Sequence, residues 1–545
     1  MSVWAFVPGD HTVRAGAAEG AAMIPQLRWV AALWLAVLVL WAPLPFGSAP
    51  AWAVGVLQSG AAAALFVAAW AARSDRRLRA VGKPFALLLA LAVLGLVQSL
   101  PVPRVLATAL SPGHAHLSAA AGEVAGSAWT RLSLSPDLSR RTSIWLLALA
   151  AAFVAAAMVS ERRLRRRALF GAVLASALFQ AAFGLRERLA LRRTIWGVEV
   201  PQPPGRLRGS FINPDHAAFL LLLALAVSFA WIWWAVRSGR WRGNWDSWLM
   251  LGIVPVATWL ALLAALLLTG SRSALAAGVV GTLVQASLLA RGRRRWWVVG
   301  AAVLLLAVGV ATTALLAFDL GFGRLADTTG YELIRNDRWI AYAATLELWS
   351  RFPIFGTGLG SFRDAFPMVQ PEGLHEVWRH AHSDWLELLA TTGVVGLGLA
   401  LGAVLLVARR FGVQLTNDRR SEDRAGAIAG IGMLSMAAVH SLLDFSLTMP
   451  ADAFILAVAL GCAAGAPAPR MREPSRRSHG GRQPSPGRSA NEPDVGGMGT
   501  LADDGEDFDQ MRPGIDPSRD RDSRTDSHGA NQPAVQPDLH GAAGH

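Results

Sequence analysis

Mostly apolar runs of about 18 to 24 residues recur along this chain, more of them than a water-soluble core can accommodate. Each run matches the thickness of a bilayer when coiled as a helix, because a helix rises about 1.5 Å per residue through about 30 Å of hydrocarbon. Windows of about 19 residues place twelve spans at 28–45, 52–72, 84–100, 143–160, 168–189, 215–236, 247–268, 273–290, 296–318, 384–407, 425–446 and 450–466. The expected fold class is therefore all-α, a polytopic transmembrane helix bundle. Charged residues make up only 16% of the sequence, which agrees with a chain solvated mainly by lipid.

The arginines fix the expected orientation. Loops 73–82, 161–167, 237–246, 291–295 and 408–424 hold 21 Lys and Arg in 49 positions, whereas the alternate loops hold 15 in 145. Basic loops stay in the cytoplasm, so both termini are expected there, with three long loops, 101–142, 190–214 and 319–383, on the periplasmic side of a bacterial inner membrane. The formal charge of +13 is thus accounted for by membrane flanks, and nucleic acid is not implied. One cysteine, Cys462, excludes an internal disulfide and a four-cysteine metal site. Residues 1–27 lack the charged start and cleavage site of a signal peptide and read as a cytoplasmic segment. From 467 to 545 the composition turns to Pro, Gly, Ser, Arg and Asp, which cannot bury enough apolar surface to order a core and predicts a disordered cytoplasmic tail.

Polar motifs that do not serve as simple membrane anchors gather at the expected periplasmic ends. Gly205-Arg206-Leu207-Arg208-Gly209-Ser210-Phe211-Ile212-Asn213-Pro214-Asp215-His216 runs into a span, with Asn213 before Pro214 as a helix start. Arg206 and Arg208 there are either anion ligands or interfacial side chains snorkelling to the headgroups. Thr269-Gly270-Ser271-Arg272-Ser273 is a very short turn, and Arg272 at the start of the next helix is either an anion ligand or a positioning charge. The largest loop carries Arg335-Asn336-Asp337-Arg338-Trp339, then Phe355-Gly356-Thr357-Gly358-Leu359-Gly360, then Arg379-His380-Ala381-His382-Ser383-Asp384. The alternating glycines read as a tight turn more readily than as a phosphate cradle. His380 and His382 form a possible metal pair, but no carboxylate set completes it, and no metal is expected. His440, Asp444 and Asp452 close the pattern as a packing and capping group for the last helical hairpin, ahead of a catalytic role.

These motifs, in this order, resemble the O-antigen ligase and polymerase family of bacterial polytopic glycosyltransferases. The likeness rests on Gly209-Ser210-Phe211-Ile212-Asn213-Pro214, Gly270-Ser271-Arg272, Arg338, Phe355-Gly356-Thr357-Gly358, and His382-Ser383-Asp384-Trp385-Leu386 with Gly393, and covers roughly 200 to 450. Two positions depart from the family pattern, Ser383 and Asp215, where Asn is usual. The expected organisation is five N-terminal spans over 28–200 and, by the resemblance, an O-antigen ligase/polymerase-like membrane region over 201–466, with periplasmic loop 319–383 forming short helices over a lipid-facing cavity. The resemblance also implies an undecaprenyl-diphosphate-linked glycan as donor and a lipid A core or a lipid-linked repeat as acceptor. A chain-length regulator is a further implied partner, and no cofactor is needed.

The chemistry suits the residue types. Negative charge grows on the leaving diphosphate, and arginine can hold it through paired hydrogen bonds. Arg272 and Arg338 are expected in that role, with Arg206 or Arg208 as a third contact. By resemblance His382 is the base that takes the acceptor proton, Asp384 orients its ring, and His380 is the rival base. Asn213, Gly356, Gly358, His440 and Asp444 support the site. A transporter or flippase would also fit twelve spans, but no internal repeat is evident, and the polar residues lie at one face and not halfway across. A non-catalytic export subunit would not need the arginine and histidine set.

Overall fold

The computed structural model describes residues 11–71, 78–121, 128–200, 205–289, 337–372, 374–375, 377–417 and 421–465, with isolated positions 300 and 303. The expected span at 296–318 lies outside these residues, apart from positions 300 and 303, as do the 319–336 stretch and the tail from 467 onward. Helices occupy the other eleven predicted positions: α1 (His11–Trp41), α2 (Ala51–Trp70), α3 (Leu78–Gln98), α6 (Pro136–Val159), α7 (Arg163–Leu189), α8 (Pro214–Ser238), α9 (Trp245–Leu268), α10 (Arg272–Leu289), α12 (Asp384–Asn417), α13 (Ser421–Leu443) and α14 (Pro450–Ala464). Among the described residues eight helices are long and apolar enough to cross a membrane, and the apolar segments Pro25–Trp41 and Pro450–Ala464 are shorter. The chain is a multi-pass membrane protein. Short elements fill the connections: α4 (Arg104–Leu110), α5 (Pro112–Ala121) and α11 (Asp337–Arg351), with two small antiparallel pairs, Pro101–Pro103 with Trp129–Arg131 and Thr194–Ile195 with Val198–Glu199.

Helix α8 is the axis of the bundle. It packs against α7, α9, α10 and α13, and every residue from Pro214 to Ala230 is buried. A helix apolar on all sides belongs in such a position, whereas α1 and α2 turn one side outward through Val30, Leu33, Trp34, Val37, Phe66 and Trp70. At the end of the bundle away from the histidines, arginines tie the helices together. Arg166 pairs with Asp423 across α7 and α13, both buried, while Arg28 and Arg165 share Glu161.

Helix α12 breaks at Gly393, where φ is 64° and ψ is −167°. Loop 353–358 fits into the break. Val394 N donates to Pro353 O, Val395 N to Ile354 O, Thr357 N to Ala390 O and Gly358 N to Thr391 O, so backbone groups freed by the break are matched from the loop. The approach is close enough that a Cβ on Gly393 would lie 2.2 Å from Ile354 O, and one on Gly356 2.2 Å from Thr391 C. Both residues also have positive φ, which glycine adopts without strain. The glycine motif is therefore a wedge against α12, as the turn reading predicts. Gly358 sits with its Cα hydrogens toward Ser133.

Candidate active site

The break in α12 sets the angle at which its first turns meet the α13–α14 hairpin, and the polar motifs collect there. Asn213 caps α8, its Oδ1 accepting from Asp215 N at 3.0 Å with Pro214 in the first turn. The strand-like approach to that cap lies along the end of α9: Leu207 N donates to Leu268 O, and Arg206 Nε donates to Thr269 O at 2.6 Å. Arg206 Nη2 pairs with Asp215 at 2.7 Å, so the carboxylate in the first turn of α8 anchors an arginine. Arg208 turns the other way. It is buried, donates to Arg192 O at 3.1 Å, and its pKa is lowered by burial against the raising effect of Glu187. Arg272 opens α10, is exposed, and makes no hydrogen bond or ion pair among the described residues.

On the other side stands the histidine group. Tyr342 of α11 donates to the backbone carbonyl of His382 at 2.8 Å and holds that residue at φ 53°, an uncommon conformation for a side chain other than glycine. The His382 ring meets the edges of Trp378 at 5.1 Å and Phe445 at 4.7 Å, and its Nδ1 is buried without a hydrogen-bond partner. Burial, then the charges of Arg338 and His380, lowers its pKa to about 4 against the raising effect of Asp215. This imidazole is neutral at pH 7.

His380 has the opposite environment. Burial disfavours its charged form, but the carboxylate of Glu387, 3.2 Å from Nδ1, outweighs burial and raises the pKa. The same carboxylate accepts from Ala381 N at 3.0 Å. Two histidines a residue apart are therefore driven toward different charges, and His380 Nδ1 is committed to Glu387.

Arg338, at the start of α11, donates to Leu443 O at 3.0 Å. Its charge reaches His382, Tyr342 and Asp444, which places it beside the histidine group. Asp444 is buried with one oxygen accepting from Phe445 N; burial and then the charge of Asp215 push its pKa up to about 7, against Arg338. His440 lies deeper, 3.4 Å from the hydroxyls of both Ser273 and Ser446.

Asp384 does not meet the His382 ring in the way the sequence suggests. Its Oδ2 accepts from Ser441 Oγ at 2.7 Å and Leu447 N at 3.1 Å, and its own N–H donates to Asp444 O at 3.1 Å. Asp384 thus fastens the start of α12 to the α13–α14 turn, and the ring of His382 is oriented by aromatic neighbours instead. Among the described residues no group of three or more His, Cys, Asp and Glu side chains is arranged to hold a metal ion.

The structure brings Arg206 together with Asp215 and Thr269, and Arg338 together with His382, Asp444 and the end of α13. It directs Arg208 toward Arg192. Sequence reasoning missed Phe445, whose ring contacts His216, His380 and His382 at 5.1, 4.6 and 4.7 Å. It also missed Tyr342, although a chain with 2 Tyr and 22 Trp marks each tyrosine as unusual. The pair His216 and Asp452, 3.7 Å apart and both buried, joins α8 to α14 beneath Phe445.

Residues 256–401 match the family model described as O-antigen ligase. That segment is similar to the O-antigen ligase family. It begins within α9, runs through Arg272, Arg338, the glycine wedge and the histidine pair, and ends within α12. The match supports the O-antigen ligase and polymerase family for this protein. A search of curated proteins returns no match. Arg206, Arg208, Asn213, His440 and Asp444 lie outside the matched O-antigen ligase segment, and the fold joins it to the motif around Arg206 through Thr269.

Proposed function

We propose that this protein is a metal-independent, inverting membrane glycosyltransferase of the O-antigen ligase or polymerase type. It moves a glycan from an undecaprenyl-diphosphate carrier to an acceptor hydroxyl at the periplasmic face. The observation that carries the reading is the buried, unpartnered Nδ1 of His382, set next to Arg338 at one end of a membrane bundle, where burial and the arginine's charge favour the neutral imidazole. A neutral imidazole has a lone pair to accept a proton, and an adjacent guanidinium suits an anionic leaving group.

In the reaction the acceptor oxygen attacks the anomeric carbon as its proton passes to the imidazole of His382. The bond from that carbon to the diphosphate oxygen breaks, and its electron pair leaves with the diphosphate. Arg338, Arg272 and Arg206 supply positive charge to the leaving group, the part a divalent cation plays elsewhere. One displacement inverts the anomeric centre. The exposed Arg272 and the partly engaged Arg206 flank the Thr269–Ser271 turn and support a diphosphate at that turn. The concentration of arginine in loops 73–82, 161–167, 237–246, 291–295 and 408–424, on the side opposite the site, supports a periplasmic site.

The test is the glycan profile of a deletion strain complemented with wild type, Arg272→Ala, Arg338→Ala or His382→Ala at equal membrane level. Loss of polymer or of attachment in all three is expected. Accumulated single lipid-linked repeats identify a polymerase, and long unattached chains identify a ligase. Full rescue by all three refutes the site and favours a carrier for lipid-linked glycans.

A further inference from the structure

Arg188, in the last turn of α7, plays no part in the site described so far. Its side chain is buried, with the residue only 4% exposed. One nitrogen, Nη1, donates to Leu268 O at 3.3 Å. The other two, Nε and Nη2, are buried and have no hydrogen-bond partner. Nε–H and Nη2–H lie along one edge of the guanidinium, the edge that grips two oxygens of a carboxylate or phosphate at once. Guanidinium does not lose its proton in a protein, so burial cannot be relieved by neutralisation. A buried charge with an unsatisfied fork calls for an anion.

The protein's own carboxylates nearby are already engaged. Glu187 is shared by Arg186 at 3.1 Å and Arg192 at 3.6 Å, and Asp215 holds Arg206 at 2.7 Å. Leu268 O, which Arg188 touches, precedes Thr269 O, which Arg206 touches. Arg188 and Arg206 therefore stand on consecutive carbonyls at the end of α9, just before Arg272 begins α10. A ligand reaching Nε and Nη2 of Arg188 breaks no protein hydrogen bond, because only Nη1 is in use.

We infer that Arg188 is a phosphate-binding residue, its Nε–Nη2 edge taking two oxygens of one phosphoryl group of a polyprenyl diphosphate at the α9–α10 turn. This rests on the donor reading above, and it adds an arginine from a helix that the family match does not reach.

The experiment uses full-length protein in phosphatidylcholine nanodiscs, with undecaprenyl diphosphate as probe and phosphatidylglycerol as comparison. Arg188→Met keeps the length of the side chain and removes the charge, while Arg188→Lys keeps the charge and removes the fork. Without probe, Arg188→Met is expected to melt at or above the wild-type temperature, because an unpaired buried charge has been replaced by an apolar chain and Leu268 O retains Leu207 N–H. Binding of undecaprenyl diphosphate is expected to weaken at least about tenfold in Arg188→Met, with an intermediate loss in Arg188→Lys.

Unchanged affinity in both variants, with the wild type binding, overturns the role of Arg188 and leaves the donor reading standing. A lower melting temperature of Arg188→Met with unchanged affinity gives Arg188 a structural role only and overturns the inference. If phosphatidylglycerol, and not the diphosphate, binds the wild type and is lost in Arg188→Met, the occupant is a membrane headgroup and the polyprenyl assignment fails. If wild type binds neither, the donor reading falls with it.

Discussion

His382 should remain unprotonated well below the pH at which an ordinary histidine takes up its proton. Burial lowers its pKa first, Arg338 and His380 add repulsion, Asp215 alone among the named charges opposes them, and the result is about 4. At pH 5 an imidazole with the usual pKa of about 6.5 is roughly 3% neutral, whereas one with a pKa of about 4 is roughly 90% neutral. If neutral His382 is the base, transfer at pH 5 keeps about nine-tenths of its pH 7 rate; with an ordinary imidazole it falls to about a twenty-fifth. The perturbation is Arg338→Gln, which removes a repulsive charge and moves the acid limb upward. The titration can be read without turnover by carbon NMR of histidine-labelled protein in nanodiscs, the His382 signal being identified by its loss in His382→Gln. Asp444, with a pKa of about 7, contributes a separate step that Asp444→Asn removes. A wild-type midpoint near 6.5, or no upward movement in Arg338→Gln, refutes the electrostatic account. Folding linkage has the same sign: between about 6.5 and 4 the unfolded chain binds this proton and the folded chain does not, so this group's contribution to stability falls as pH falls.

His380 gives the opposite linkage: its raised pKa makes its contribution complete below about 6.5 and lost as pH rises through the folded value, and Glu387→Gln should abolish that slope in thermal melts. Gly393→Ala places a Cβ 2.2 Å from Ile354 O at positive φ, and should cost about 2 kcal/mol or more, read as a lower melting temperature and reduced membrane yield. Phe445→Leu removes a ring touching three imidazoles, each such pair being worth about 0.5–1.5 kcal/mol, so transfer should fall while expression stays near wild type; unaltered His382 shifts in the NMR spectrum would contradict its positioning role. Asp423→Ala leaves Arg166 buried and unpaired at the opposite end of the bundle and should cost about 3–5 kcal/mol in denaturant melts, with Arg166→Met in the same background restoring part of the loss.

The helical framework was legible because bilayer thickness imposes a length on every apolar run, and eleven predicted spans coincide with helices at least over most of their length. The Asn213-Pro214 start of α8 was legible for a similarly local reason, since cap and first-turn preferences act over three residues. Partner choice was not. Asp384 is two residues from His382 in sequence, yet its carboxylate turns to Ser441 and Leu447, because a helix start and a hairpin turn meet there. Nor could spacing show that Arg206 is engaged by Asp215 while Arg272 remains exposed. The break at Gly393 escaped notice because the matching backbone comes from residues 353–358, more than thirty positions earlier. Phe445 looked like one more apolar residue near a helix end, and only packing reveals the histidines around it.

The broken helix explains why the wedge glycines and the histidines belong to one arrangement. An unbroken α12 would leave loop 353–358 no backbone partners at Ala390, Thr391 and Val394, and the loop would have to satisfy itself elsewhere. Its insertion fixes the segment from Asp384 to Thr392 as a short stub, tied at one end to loop 353–358 and at the other, through Asp384 and Ser383, to the α13–α14 turn. His382 leaves that stub at φ 53° and is held by Tyr342 from α11, the helix that also carries Arg338. Motion of α11 would then move the arginine and the His382 backbone together. The spacing between the arginine proposed to bind the leaving diphosphate and the histidine proposed to receive the acceptor proton is what such a coupling would preserve. Removing the Tyr342 hydroxyl tests this: Tyr342→Phe should leave the charge of Arg338 and the pKa of His382 nearly in place while lowering the rate of transfer. A pH profile shifted as in Arg338→Gln would mean that the hydroxyl acts on the ionisation of His382 and not on its position.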